Sequence, residues 1–79
     1  MEDVDSVVER FFDVEANEHV RRVLTTELSS RTTGSRYLTF NVFNVRLDFD
    51  VGVATFEDEL DPATTKSLPL ADLRRRLSP

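Results

Sequence analysis

Cysteine and tryptophan are absent from this 79-residue chain, histidine and lysine occur once each (His19 and Lys66), and glycine occurs twice. Without cysteine there are no disulfides, thiolate metal sites, iron–sulfur clusters or thiol nucleophiles. A lone histidine excludes a multi-histidine metal centre. The longest apolar runs are two or three residues, far short of the roughly 20 that span a bilayer. The N-terminus is acidic and lacks the basic, apolar and small-residue succession of a secretory leader, so a cytoplasmic protein is expected. So short a chain has room for a single α+β domain over residues 1–79 and none for a deep interdomain cleft. It must bury nearly all its apolar residues, and a second subunit could complete its core.

Fifteen acids face ten bases, for a net charge of −5. The charge is uneven. Residues 1–18 hold Glu2, Asp3, Asp5, Glu9, Asp13, Glu15 and Glu18 against Arg10. Glu57, Asp58, Glu59 and Asp61 form a second acidic block, and Arg74, Arg75 and Arg76 a basic one. Nucleic-acid binding neutralises phosphates with Lys and Arg, so an acidic chain is poorly suited to it. Acidic arm and basic tail can neutralise one another within the fold, or an acidic face can steer a basic partner.

Val4, Val7, Val8, Phe11 and Phe12 recur at helical spacing, and Ala16, Val20, Val23, Leu24 and Leu28 continue the stripe. Asp3, or Ser6 with Glu9 as a capping box, opens the helix. One helix over residues 4–28 would be roughly 37 Å long at 1.5 Å per residue, so a break near Asp13–Asn17 is expected, with Asp13 or Asn17 capping a second helix. Residues 29–36 read as a polar loop.

From Tyr37 the period becomes two. Leu38, Phe40 and Val42 fall on even numbers; Phe43, Val45, Leu47 and Phe49 fall on odd ones. A β-bulge at Asn41–Asn44 explains this switch best, since one extra residue would return both sets to one face. A straight two-faced strand comes second. A turn comes third, because Val and Phe are poor central turn residues. Asp50-Val51-Gly52 is a clear hairpin turn and Val53–Asp58 the returning strand. Residues 59–66 read as a loop, 67–70 as a short edge strand, and 71–77 as a terminal helix. The expected fold is α+β: one or two N-terminal helices on an antiparallel hairpin or three-stranded sheet, with a short C-terminal helix.

No constellation carries catalysis. Asp48, Asp50, Gly52 and Glu57 resemble a calcium loop superficially, but Gly falls at its fifth position rather than its sixth, within β-patterned sequence. His19 has no matching nucleophile or acid. The residues 57–61 acids read first as a solvated strand end that discourages edge aggregation. No cofactor, metal or catalytic residue is therefore assigned. Tyr37, Thr39 and Asn41 should share the sheet face opposite Leu38 and Phe40. With Glu57, Asp58, Glu59 and Asp61 they make a candidate partner interface, and Arg74, Arg75 and Arg76 are candidate anion or partner contacts. The outline resembles small bacterial proteins that bind and neutralise a partner, immunity proteins of toxin systems among them; no motif carries the resemblance and no residue role is transferred.

The expected function is a non-enzymatic protein–protein interaction module, of inhibitor, immunity or accessory type, whose partner is another protein or a second copy of itself. The alternative is a nucleic-acid-associated regulator using Arg21, Arg22, Arg31, Arg36 and Arg74–Arg76. A small enzyme completed by oligomerisation ranks third.

Overall fold

The computed structural model describes residues 6–30 and 32–78. The elements run α1 (Ser6–Arg10), a π-helical turn (Phe11–Glu15), α2 (Glu18–Ser30), β1 (Ser35–Thr39), β2 (Phe43–Asp48), β3 (Val53–Asp58), β4 (Asp61–Pro69) and α3 (Leu70–Leu77). The class is α+β, as expected. The sheet is larger: a four-stranded antiparallel meander in the order β1-β2-β3-β4, rather than two or three strands. The proposed caps at Asp3 and the Ser6 side chain lie outside the described residues.

The break in the N-terminal helix falls where expected. The widened turn closes with Ala16 N–H donating to Phe11 O (3.0 Å), and Asn17 N–H then donates to Glu15 O (2.8 Å). Ala16 at φ −82° and ψ 65° makes this an inverse γ-turn. Asn17 caps α2, its Oδ1 accepting the Val20 N–H at 2.9 Å. The π turn keeps Phe11 and Glu15 on one face, and both are buried.

The parity switch at Asn41–Asn44 is a turn, not a bulge. Leu38 pairs with Val45 and Thr39 with Asn44, so a two-residue loop, Asn41-Val42, joins β1 to β2. Cross-strand partners share a face, and across a two-residue loop their numbers have opposite parity; even residues on β1 therefore face the same way as odd residues on β2. Phe40 N–H donates to Phe43 O at 2.9 Å. The usual two-residue hairpin turns need positive φ, yet among the described residues only Gly34 and Gly52 have it. The acceptor for this turn comes instead from the Glu15 side chain. Its Oε1 accepts the N–H of Val42 at 2.6 Å and of Phe43 at 3.1 Å, and its Oε2 accepts that of Asn41 at 3.3 Å.

The other turns use local chemistry. Asp48 Oδ1 accepts the Asp50 and Val51 N–H groups, both at 3.1 Å, and Gly52 supplies φ +84°. Asp58 Oδ1 accepts the Leu60 N–H at 2.9 Å and tightens the β3–β4 turn. Residues 59–66 are thus a turn followed by strand rather than a loop, because β4 starts at Asp61. The sheet's register irregularity lies here, between Glu57 and Asp58, and not at Asn41–Asn44.

Leu38, Phe43, Val45, Leu47, Ala54 and Phe56 project from the inner face of the sheet and are buried against Val7, Val8, Phe11, Val20, Leu24, Leu28, Leu70 and Leu73 from the helices. Phe11 is the hub: its ring lies 4.9 Å from Phe56, 5.7 Å from Phe43 and 6.1 Å from Phe40. Such edge-on contacts add to the gain from burying the rings themselves. All three helices lie on this one side, and the opposite face of the sheet is open.

Because Glu15 is 4% exposed and holds three amides, Glu15→Ala should cost about 3 kcal/mol, and lower Tm by roughly 10–20 °C. Glu15→Gln should cost less, since its amide oxygen can still serve Val42 and Phe43 while its NH₂ opposes the Asn41 donor. Thermal unfolding followed by circular dichroism measures both. An alanine variant as stable as the parent would remove Glu15 from this role.

Candidate functional site

The open face is built by register. Across the sheet, Tyr37, Arg46, Thr55 and Ser67 form one row, and Thr39, Asn44, Glu57 and Thr65 the next. All eight alternate with the inward-facing core residues, which is why none is apolar beyond the ring of Tyr37. Tyr37, Arg46, Thr55, Glu57 and Thr65 line a shallow depression of about 320 Å³.

A hydrogen-bonded cluster borders it through Tyr37 and Glu57. Tyr37 Oη donates to Glu57 Oε1 at 2.7 Å. Asn44 Nδ2 donates to the same oxygen at 3.3 Å and to Glu59 Oε1 at 2.6 Å. The Arg46 guanidinium lies over the Tyr37 ring, 5.9 Å from its centroid. Asn44 is 7% exposed, and its Oδ1 is enclosed without a hydrogen-bond donor. Tyr37 itself is 50% exposed. The hydrogen bond to the Glu57 carboxylate holds its phenol above the ordinary value of 10.0; partial desolvation and the negative charges of Glu57 and Glu59 act in the same direction, and Arg46 opposes them. At neutral pH the phenol is therefore a hydrogen-bond donor and not a base.

The candidate interface residues separate. Tyr37, Thr39 and Glu57 share the open face, and the Glu59 carboxylate reaches it from the β3–β4 turn through Asn44. Asn41 is at the exposed tip of the β1–β2 turn with its N–H on Glu15. Asp58 is on the covered side, where Arg10 Nη2 meets its Oδ2 at 2.5 Å. Asp61 opens β4 and accepts the Thr64 hydroxyl at 2.6 Å. Asn44, Arg46, Thr55 and Thr65 belong to the face and were not singled out from the sequence. Period two did place Asn44 and Arg46 opposite Phe43, Val45 and Leu47, but which strands lie beside them depends on register.

The arginine run lies away from this face and is engaged within the chain. Arg74 Nη2 donates to Leu28 O at 3.4 Å, Arg75 pairs with Asp72, and Arg76 pairs with Glu9 at 3.1 Å. Arg21 donates to Ala16 O at 3.2 Å, Arg22 pairs with Glu18 at 3.1 Å, and Arg36 with Glu27 at 3.3 Å. Among the described residues, Arg46 is the arginine with no carboxylate or carbonyl partner. His19 is exposed on α2. No three His, Asp or Glu side chains among the described residues are grouped to hold a metal ion, and no helix is long and apolar enough to cross a membrane. Comparison with known proteins finds no matching family model, no matching curated protein and no matching solved structure.

The chain holds one tyrosine and no tryptophan, so absorbance near 295 nm reports Tyr37 alone. Its titration midpoint should lie above 10.0, the ordinary value, and Glu57→Gln should lower it by removing one negative charge. The sign for stability follows: the neutral phenol's contribution is complete below pH 10 and is lost as pH rises through the raised midpoint. A midpoint unmoved by Glu57→Gln would place the phenol elsewhere.

Proposed function

We propose that this protein is a non-enzymatic interaction module that binds a partner protein on the open face of its sheet, as an inhibitor or accessory subunit. The observation that carries this reading is the one-sided packing: three helices cover the inner face, and Tyr37, Thr39, Arg46, Thr55, Glu57 and Thr65 remain displayed on four paired strands. Tyr and Arg are the residues interfaces favour, because each combines a large contact area with directional hydrogen bonding. The face offers no pairing of nucleophile and base, and its tyrosine is held protonated, which supports binding over chemistry.

The nucleic-acid reading has less support. Its arginines, apart from Arg31, which lies outside the described residues, are held by carboxylates or backbone carbonyls of the same chain. Freeing them for phosphate would cost those pairings, and the net charge of −5 opposes approach.

Size bears on the kind of complex. Strands about 4.8 Å apart, paired over five or six residues, give a face of roughly 300 Å², against about 800 Å² per partner in a standard interface. Binding is therefore reversible, or extends onto the flanking turns at Asn41-Val42 and Glu59-Leu60.

A photoreactive phenylalanine analogue placed at Tyr37 or Thr55, and at His19 as a control on the helical side, tests this in the cells that make the protein. Illumination should yield a discrete protein adduct from positions 37 and 55 and none from 19. Adducts from position 19 alone, or from no position, would reject the sheet face as the docking surface.

A further inference from the structure

We infer that the free edge of β1 pairs, antiparallel and across a two-fold axis, with the β1 edge of a second copy of this chain, so that two sheets join into one. The contact lies beside the open face and does not depend on what binds there.

The hydrogen-bond phase of the sheet identifies the groups involved. In an antiparallel pair, successive residues alternate between bonding the neighbouring strand and turning both backbone groups away from it. Phe40 N–H donates to Phe43 O at 2.9 Å at one end of the β1–β2 pair, and Phe49 N–H to Gly34 O at 2.8 Å at the other. With Leu38 paired to Val45, the even residues of β1 therefore bond β2. Ser35, Tyr37 and Thr39 direct their N–H and C=O groups the other way, where β1 ends the sheet. Among the described residues these backbone groups meet no partner. Four of the five β1 residues are exposed.

The two edges of the sheet differ. β4 carries Pro62 and Pro69, which lack an N–H, and Lys66 lies opposite Phe56, setting a charge on the helix-covered side. Its opening also holds the register irregularity between Glu57 and Asp58. Prolines, an inward charge and an irregular register all discourage strand addition. β1 has no proline and an unbroken register, and its one charged residue, Arg36, is held by Glu27 at 3.3 Å. The edge left open is β1.

Outward rows of N–H and C=O groups are answered by another extended backbone. A second β1 presents the same groups at the same spacing, so each edge satisfies the other, and a two-fold axis makes the contact self-complementary. Charge selects the register. An axis at Tyr37 sets Ser35 opposite Thr39 and Arg36 opposite Leu38, and it brings every outward residue into a bonded pair. An axis at Arg36 would put two arginines face to face, which is unfavourable. An axis at Leu38 would leave Ser35 opposite the Asn41-Val42 turn. The Tyr37 register also sets the two half-exposed phenol rings side by side on the open face, a favourable cross-strand aromatic pair. The open faces of the two copies then run together, to about 600 Å² in all. Five residues of edge span only roughly 17 Å, so the dimer exchanges with monomer, with a dissociation constant on the order of 10–100 µM.

Sedimentation equilibrium of the full chain from about 5 µM to 1 mM, with amide hydrogen exchange followed by NMR over the same range, tests this. The mass should rise from that of one chain toward that of two, and the amides of Ser35, Tyr37 and Thr39 should exchange more slowly as concentration rises. Leu70 N–H donates to Gly52 O at 2.9 Å, so Thr65 and Ser67 turn their groups to the free edge of β4. Their amides should not slow. Thr39→Pro removes an outward N–H and no bond to β2, and should weaken dimerisation about tenfold or more. Thr65→Pro, the matching change on β4, should leave it unaltered. Exchange in the unsubstituted chain reads the same edge if a proline variant does not fold. A monomer at every concentration would overturn the pairing, as would a dimer sensitive to Thr65→Pro and not to Thr39→Pro. Protection at 35, 37 and 39 that appears only with a foreign partner, never on concentration, would give the edge to that partner's strand and reject the second copy. Photo-adducts from positions 37 and 55 with a strictly monomeric chain would keep the docking face and reject the pairing.

Discussion

The Glu15 carboxylate is the acceptor on which the β-sheet closes. It lies at the end of the π-helical turn and receives three consecutive backbone amides of the β1–β2 turn. That turn has no glycine and no positive φ, so it cannot satisfy its amides as a primed hairpin turn would. A buried amide without an acceptor is costly, and a charged acceptor is the stronger kind. The same contact sets the order of the fold. The widened helical turn places Phe11 against Phe40, Phe43 and Phe56, and Glu15, one turn further on, falls over the loop between two of them. Val42 O then accepts the Glu59 N–H at 2.7 Å, so both turns at this end of the sheet are tied together.

A second consequence is the division of the sheet into two chemically different faces. The inner face is aliphatic and aromatic and is covered by helices. At its rim, Arg10 lies 5.4 Å from the centre of the Phe43 ring and pairs with Asp58, which removes that acid from the exposed cluster. The outer face keeps its hydroxyls, phenol and carboxylates in view of solvent, with the Asn44 amide buried beneath them. Charge follows the same division. Arginines near the helices are used internally: Arg76 and Arg21 both lie against the Phe12 ring, at 5.5 and 5.4 Å, and Arg76 also holds Glu9. Glu57 and Glu59 are left with neutral donors. Among the described residues, arginines near the helices pair within the chain, while Glu57 and Glu59 meet neutral donors with Arg46 nearby. The proposed docking reading draws on that asymmetry.

Several elements are legible in the residues alone. Val7, Val8 and Phe11 mark a helix by their spacing, Asn17 announces the second helix, Asp48 and Gly52 define a turn, and Leu70, Leu73 and Leu77 mark the last helix. Residues 59–66 read as a loop because Asp61-Pro62 suggests a turn, but β3 offers a paired edge and the chain from Asp61 extends as strand. The parity switch is visible, but a turn is the least expected of its three explanations, because Val42 and Phe43 are poor central turn residues. The chemistry is supplied by a residue 26 positions or more away.

Residue order alone sets the period, and period determines which residues can share a face: Phe43, Val45 and Leu47 on one side, Asn44 and Arg46 on the other. It also determined the absence of thiol chemistry. Tertiary structure decided which strands lie next to which, and hence that Tyr37, Asn44, Glu57 and Glu59 meet while Asp58 and Asp61 do not. Local patterning acts through bonds a few residues apart, whereas register and the Glu15 contact depend on helix packing that brings distant segments together. No local signal encodes that distance.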